Sequence, residues 1–162
     1  MAKKTTIANF ALELKKELEK LSGVAFKQRI ARQARDILYN RVKSGFGIKG
    51  SGKNIAREKL KALSPLYIES RKSMRLGKFG SPGRSNITLT GETLEAISIK
   101  ILPQGFALYF TNQNHPVHRF TFAQIANYVE EGGRPFFNLT TDERRIIERE
   151  VELELRKLAR RF

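Results

Sequence analysis

Apolar residues recur at helical spacing along the first part of the chain. Ile7, Phe10, Leu14, Leu18 and Leu21 share one face of a helix expected over about Ile7–Leu21, which Ser22-Gly23 ends. Phe26, Ile30, Ala34, Ile37 and Leu38 predict a second helix over about Val24–Val42, with Arg29, Arg32, Arg35 and Lys43 mostly on its other faces. The pattern then breaks. "SGFGIKGSGKN" holds four glycines with little apolar periodicity, so a flexible loop is expected over 44–54. A short helix is expected over about Ile55–Leu63. Ser64 as N-cap and Pro65 at the first helical position start another. "RLGKFGSPGRSN", residues 75–86, reads as a second flexible and basic loop.

The period then shortens. "ITLTGETLEAISIKILP" suggests a short extended piece, a helical turn capped by Thr90, and a strand through Ile97, Ile99 and Ile101. Pro103-Gln104-Gly105 makes a turn and "FALYFT" returns, so 97–111 predicts a β-hairpin. Thr121 to Gln124 has the form of a capping box, opening a helix that runs to Glu131 and stops at Gly132-Gly133. Thr140 to Glu143 is a second such box. It opens a long last helix with Ile147, Val151, Leu155, Leu158 and Phe162 on one stripe. The order is N-terminal helices, a small antiparallel sheet, then a long C-terminal helix. That is an α+β chain without the βαβ alternation of a parallel sheet, expected to form a single domain over residues 1–162.

Charge changes this picture most. The formal net charge is +15. Residues 23–90 hold 16 Lys/Arg against Asp36, Glu58 and Glu69, a surplus of 13, whereas residues 91–162 hold ten of each sign. So concentrated a surplus points to a polyanionic partner, either nucleic acid or an acidic protein surface; the plainer alternative is a solvated face. The candidate contacts are Arg29, Arg32, Arg35, Lys43, Lys49, Lys53, Arg71, Lys72, Arg75, Lys78 and Arg84. There is no cysteine, hence no disulfide framework and no thiolate metal site. Charges interrupt the apolar start of the chain, which speaks against a signal peptide or a membrane helix there and for a soluble protein of a reducing cytoplasm.

Catalytic chemistry finds little support. From Gly47 the chain reads G-x-x-x-x-G-K, but Asn54 stands where a P-loop has Ser or Thr. The segment before it is a basic helix rather than a strand. His115 and His118 flank Pro116-Val117 with too few neighbouring ligands for a metal, and read as surface polar residues. Glu143, Glu148, Glu150, Glu152 and Glu154 alternate with Arg144, Arg145, Arg149 and Arg156, the pattern of ion pairs along a helix face. No catalytic, cofactor or metal site is expected, and Arg134-Pro135-Phe136-Phe137 reads as a rigid elbow with at least one phenylalanine in the core.

Three segments carry a resemblance. Leu63, Ser64, Pro65, Tyr67 and Arg71 form the first. Thr90, Gly91, Leu94, Ile97, Ser98 and Ile99 form the second, with a one-residue shift before the serine. Glu130, Gly132, Arg134, Pro135 and Phe136 form the third. In this order, from about residue 25 to the end, the chain resembles the phage virion-morphogenesis and tail-completion family. That family includes the G-type protein of phage Mu and is similar more loosely to the minor tail protein Z of lambda-like phages. The 44–54 stretch departs from it, since the family often carries an aromatic-containing insertion there. The resemblance implies a structural virion protein of the head–tail neck or tail top, assembled in the host cytoplasm. It would form a homo-oligomeric ring around the DNA channel and meet connector or tail-tube proteins, with genomic DNA as a non-specific partner and no membrane. The hairpin 97–111 and the loops 44–54 and 75–86 are the expected contact elements. The alternative is a basic DNA- or RNA-binding protein acting away from the virion, for which the aromatic residues of the basic block are thinly scattered.

Overall fold

The computed structural model describes residues 15, 16, 19, 23–73, 92–116 and 119–160. The expected helix over Ile7–Leu21 therefore lies outside the described residues, except that Lys15, Lys16 and Glu19 are helical. The 75–86 stretch also lies outside them.

Helix α1 spans Val24–Lys43. It buries Ile30, Ala31, Ala34, Leu38, Arg41 and Val42 along one side, an i, i+3/i+4 stripe whose alanines let neighbouring elements approach closely. It is the hub of the fold and packs against both later strands, the last helix and the first strand. At its start, the Lys27 ammonium donates to the carbonyls of Leu102 (3.2 Å) and Pro103, tying the helix to a distant turn.

Residues 44–63 correct the sequence reading. In place of a flexible loop and a helix, β1 (Phe46–Ser51) and β2 (Asn54–Lys59) form an antiparallel hairpin around Gly52-Lys53. Its register runs from Phe46↔Lys59 to Ser51↔Asn54. Ile48 and Ile55 point to the core face, and the Leu60 N–H closes the base on the Gly45 carbonyl at 2.9 Å. The glycines that suggested mobility have fixed duties. Gly50 takes φ +98°, where a side chain would be strained. At Gly47, a Cβ would sit 2.3 Å from the Pro135 carbonyl oxygen, so only glycine allows the strand to lie against that corner.

Helix α2 follows at Pro65–Ser73, and the Ser64 hydroxyl accepts the Tyr67 N–H at 3.3 Å. After α3 (Glu92–Glu95), β3 (Ile97–Leu102) and β4 (Gly105–Phe110) form the second hairpin, paired from Ile97↔Phe110 to Leu102↔Gly105. Helix α4, Phe122–Glu131, opens with the expected reciprocal box: Gln124 N–H to the Thr121 hydroxyl at 3.2 Å, Thr121 N–H to the Gln124 side chain at 2.9 Å. Helix α5, Thr141–Ala159, opens with the other, formed by Thr140 and Glu143 at 3.2 and 2.8 Å. On α5, Ile147 and Val151 are half-buried and Leu155 is exposed. The architecture is α+β, with helices and two separate two-stranded antiparallel sheets.

One apolar cluster joins these elements. Leu38 and Val42 of α1 meet Leu94, Ile97, Ala126 and Phe136, with Phe110, Val129, Phe137 and Leu139 packed around them. Phe136 is 0% exposed.

Candidate functional site

The Arg134–Phe137 elbow is held from four directions. Helix α4 stops at Gly132, and the Glu130 carboxylate reaches past the stop to accept the N–H groups of Phe136 (3.2 Å) and Phe137 (2.8 Å). The Pro135 carbonyl accepts the Ile48 N–H at 2.9 Å. The Phe136 ring meets Phe110 edge-on at 6.0 Å, and Phe137 lies 4.7 Å from the same ring. The Arg134 guanidinium points away from these and donates to the Ala62 carbonyl at 3.5 Å.

Below the elbow sits Arg41, which sequence reading did not single out. Its guanidinium is buried, donating to the Phe136 carbonyl at 2.6 Å, the Asn138 carbonyl at 2.7 Å and the Glu143 carboxylate. That carboxylate also caps α5 through Thr140. Burial lowers the Arg41 pKa from its ordinary value, while Glu143 opposes the shift. An arginine remains charged regardless. One central ion pair thus joins α1, the elbow and the start of α5.

The basic candidates part company in the structure. Arg29 reaches across to α5, 3.7 Å from Glu150 and 3.4 Å from Glu154, and lies over the Phe26 ring at 5.3 Å. Glu154 is held below the ordinary carboxylate pKa, chiefly by its hydrogen bond from Lys157 and then by Arg29. Arg35 pairs with Asp36 at 3.2 Å, and Lys49 with Glu58 at 3.5 Å. Lys43 lies over the Tyr39 ring at 5.7 Å. Arg32 stands on the exposed side of α1, along a groove of about 740 Å³ that also takes in Gln28, Gln33, Ile37, Asn40 and Glu150. Lys53 occupies the tip of the β1–β2 hairpin. Among the described residues, the Arg32 and Lys53 side chains have no ion-pair or hydrogen-bond partner, and neither does that of Lys59. Arg57, which the sequence reading also passed over, stacks its guanidinium 3.7 Å above the Phe46 ring. The side chains of Arg71 and Lys72, and residues Arg75, Lys78 and Arg84, lie outside what the structure describes. Of the candidates whose side chains are described, Arg29, Arg32, Arg35 and Lys43 belong to α1 and Lys49 and Lys53 to the first hairpin. Arg29, Arg35 and Lys49 are neutralised in place.

The P-loop-like segment has the wrong geometry for phosphate. Gly47–Ser51 lies in a strand, Gly52-Lys53 is a tight turn, and another strand follows where a helix N-terminus would be needed. His115 also departs from the surface reading. It is buried, its ring edge-on to Phe122 at 5.2 Å, and its backbone N–H donates to the Phe120 carbonyl, while His118 lies outside the described residues. Among the described residues, no three His, Asp or Glu side chains come together as a metal site, and no helix is long and apolar enough to cross a membrane.

No family model, no curated protein and no solved structure matches the chain.

Proposed function

We propose that the protein is a structural component of the head–tail neck or tail top of a tailed bacteriophage. It completes the tail or its junction by assembling as a ring around the DNA channel. The resemblance rests on three separated segments, and one observation gives that set physical sense: the three meet. Leu94 and Ile97 of the second segment share a core cluster with Phe136 of the third. Arg134 of the third donates to Ala62, beside the buried Leu63 that opens the first. Glu130 holds the backbone of the elbow. Leu63, Leu94, Ile97, Glu130 and Phe136 of the matched set are therefore load-carrying positions of one framework, the kind of residue that a shared fold requires. The contact elements are the two hairpins and α2, which expose strand edges and apolar side chains. Head-to-tail contacts between unlike surfaces give a ring when the rotation between neighbours closes, which this reading requires.

The test is complementation. In a lysate of the encoding phage that lacks this protein, heads and tails accumulate unjoined or tails remain unfinished. Adding the purified protein restores infective particles. Normal particles without it would overturn the proposal. Arg32, Lys53 and Lys59 also suit the second reading, a nucleic-acid binder outside the virion. That reading requires a preferred sequence.

A further inference from the structure

The first hairpin carries its charges unevenly. Its register puts Phe46↔Lys59 and Ile48↔Arg57 on one face, and Gly47↔Glu58 and Lys49↔Ala56 on the other. On the second face Lys49 meets Glu58 at 3.5 Å, and the two charges cancel. On the first, Ile48 is buried, while Arg57 and Lys59 are exposed and meet no carboxylate among the described residues. Arg57 is held 3.7 Å over the Phe46 ring, a partner that steadies the guanidinium without neutralising it.

The tip repeats the arrangement. The Lys53 side chain has no partner among the described residues. Beside it, Arg144 of α5 donates to the Gly52 carbonyl at 3.2 Å and to the Asn138 side-chain oxygen at 3.0 Å, both neutral acceptors. Thr141 braces the same turn: its hydroxyl accepts the Ile55 N–H at 3.0 Å and donates to the Lys53 carbonyl at 2.8 Å. The acidic residues of the first turn of α5 are already taken, Asp142 by Arg145 and Glu143 by Arg41. Lys53, Arg57, Lys59 and Arg144 therefore line one braced hairpin without a counter-charge among the described residues. From Lys53 to Lys59 the row runs about 20 Å at the usual rise of a strand.

We propose that this row is a docking surface for duplex DNA, in which Lys53, Arg57, Lys59 and Arg144 contact backbone phosphates. B-DNA carries one negative charge per about 1.7 Å of axis, so a row of this length meets several phosphates at once. An acidic protein fits less well. The hairpin exposes Lys, Arg, Gly, Ser, Asn, Ala and Glu, with none of the large apolar anchors that carry protein interfaces. Interfaces with DNA are polar and strongly positive. A single strand fits less well too, because Phe46, the hairpin's only aromatic ring, is half-buried under Arg57 and offers no open platform to a base. Backbone contacts carry no sequence information, so binding is indifferent to sequence. The inference deepens the assembly reading by naming side chains that face the DNA, and rests on it only for the source of that DNA.

The probe is a fluorescent random-sequence duplex, titrated with purified protein over a series of salt concentrations. Arg57→Gln and Lys59→Gln should each weaken binding about tenfold at low salt and flatten the slope of log K against log salt by about 0.9, and the double variant by about 1.8. Lys59 is exposed and without a partner, so Lys59→Gln should melt with wild type and carries the test alone if Arg57→Gln melts low. Arg156→Gln removes the same charge from the far end of α5 and should leave the slope unchanged. Unchanged slopes in both hairpin variants, or an equal loss in Arg156→Gln, overturn the proposal, since the surplus would then act only as a diffuse field. A single strand of equal charge bound more tightly than the duplex overturns it in favour of stacking. Polyglutamate that displaces the duplex at equal charge overturns it in favour of an acidic protein. The assay uses purified protein and no particles, so its failure is distinct from the protein's absence from virions.

Discussion

The Arg41–Glu143 pair can be broken from either side, with different results. In Glu143→Gln, the amide oxygen can still accept the Thr140 N–H, so the α5 cap survives in shape. What disappears is the counter-charge of a guanidinium whose side chain is 2% exposed. Removing one partner of a buried pair costs about 3–5 kcal/mol, because the remaining charge cannot return to water. In Arg41→Met, the charge itself is gone, and the Phe136 and Asn138 carbonyls lose their donor. Each such carbonyl costs about 1–3 kcal/mol if it stays dry. Glu143 keeps Thr140 as a donor and is near enough to the surface to be hydrated. The double variant Arg41→Met/Glu143→Gln has no orphan charge, so the two losses should fall short of adding by about 0.5–3 kcal/mol. A domain is stable by only about 5–15 kcal/mol, so Glu143→Gln should sit near the edge of folding. Urea titrations followed by circular dichroism measure all four proteins, with an unchanged m-value as the sign that the unfolded state is comparable. Glu143→Gln within about 1 kcal/mol of wild type, together with additive losses, would refute the account of this pair.

Three further outcomes follow from the same geometry. Phe136→Ala should destabilise by about 3–5 kcal/mol, and Phe137→Ala, at a half-buried site, by clearly less; equal thermal melts for the two would mean the elbow does not anchor the core. Gly47→Ala forces its methyl onto the Pro135 carbonyl and should cost about 1–3 kcal/mol, with hydrogen exchange rising at Ile48; a neutral substitution would show that the hairpin is not pressed against the elbow. Random-sequence DNA should bind with a Kd of order 10⁻⁴–10⁻⁶ M at physiological salt. Arg32→Ala and Lys53→Ala should each lower the salt slope by about 1, whereas the ion-paired Arg29 should contribute less; a slope unchanged by both would remove these side chains from any phosphate contact.

The residues themselves explain which parts of the fold could be read in advance. Both capping boxes and the hairpin at 97–110 rest on neighbouring residues, so their signals are local and complete. The first hairpin defeated the same reasoning because Ile48 and Ile55 are its only buried side chains, and the strand partner of Ile55 is Gly50. The partner that makes Gly47 obligatory is Pro135, far along the chain. Ile55, Leu60 and Leu63 imitate a loose helical stripe, although they belong to a strand and the irregular segment after it. Arg41 was invisible among so many cations, since its acidic partner lies 102 residues away. The same holds for the candidate contacts. Composition located the surplus charge, but which cations are already neutralised depends on Glu150, Glu154, Asp36 and Glu58 in three dimensions.

The central claim is that this chain is built into the virion, and the protein content of purified particles tests it most directly. Virions of the encoding phage, freed of soluble protein by density banding, are analysed by quantitative mass spectrometry and by gold labelling of a tagged copy. The account predicts several copies per particle, labelled at the head–tail junction or the top of the tail. Particles free of the protein, with the chain instead bound in the cell to a preferred site about 10³–10⁷ tighter than to random sequence, would contradict it.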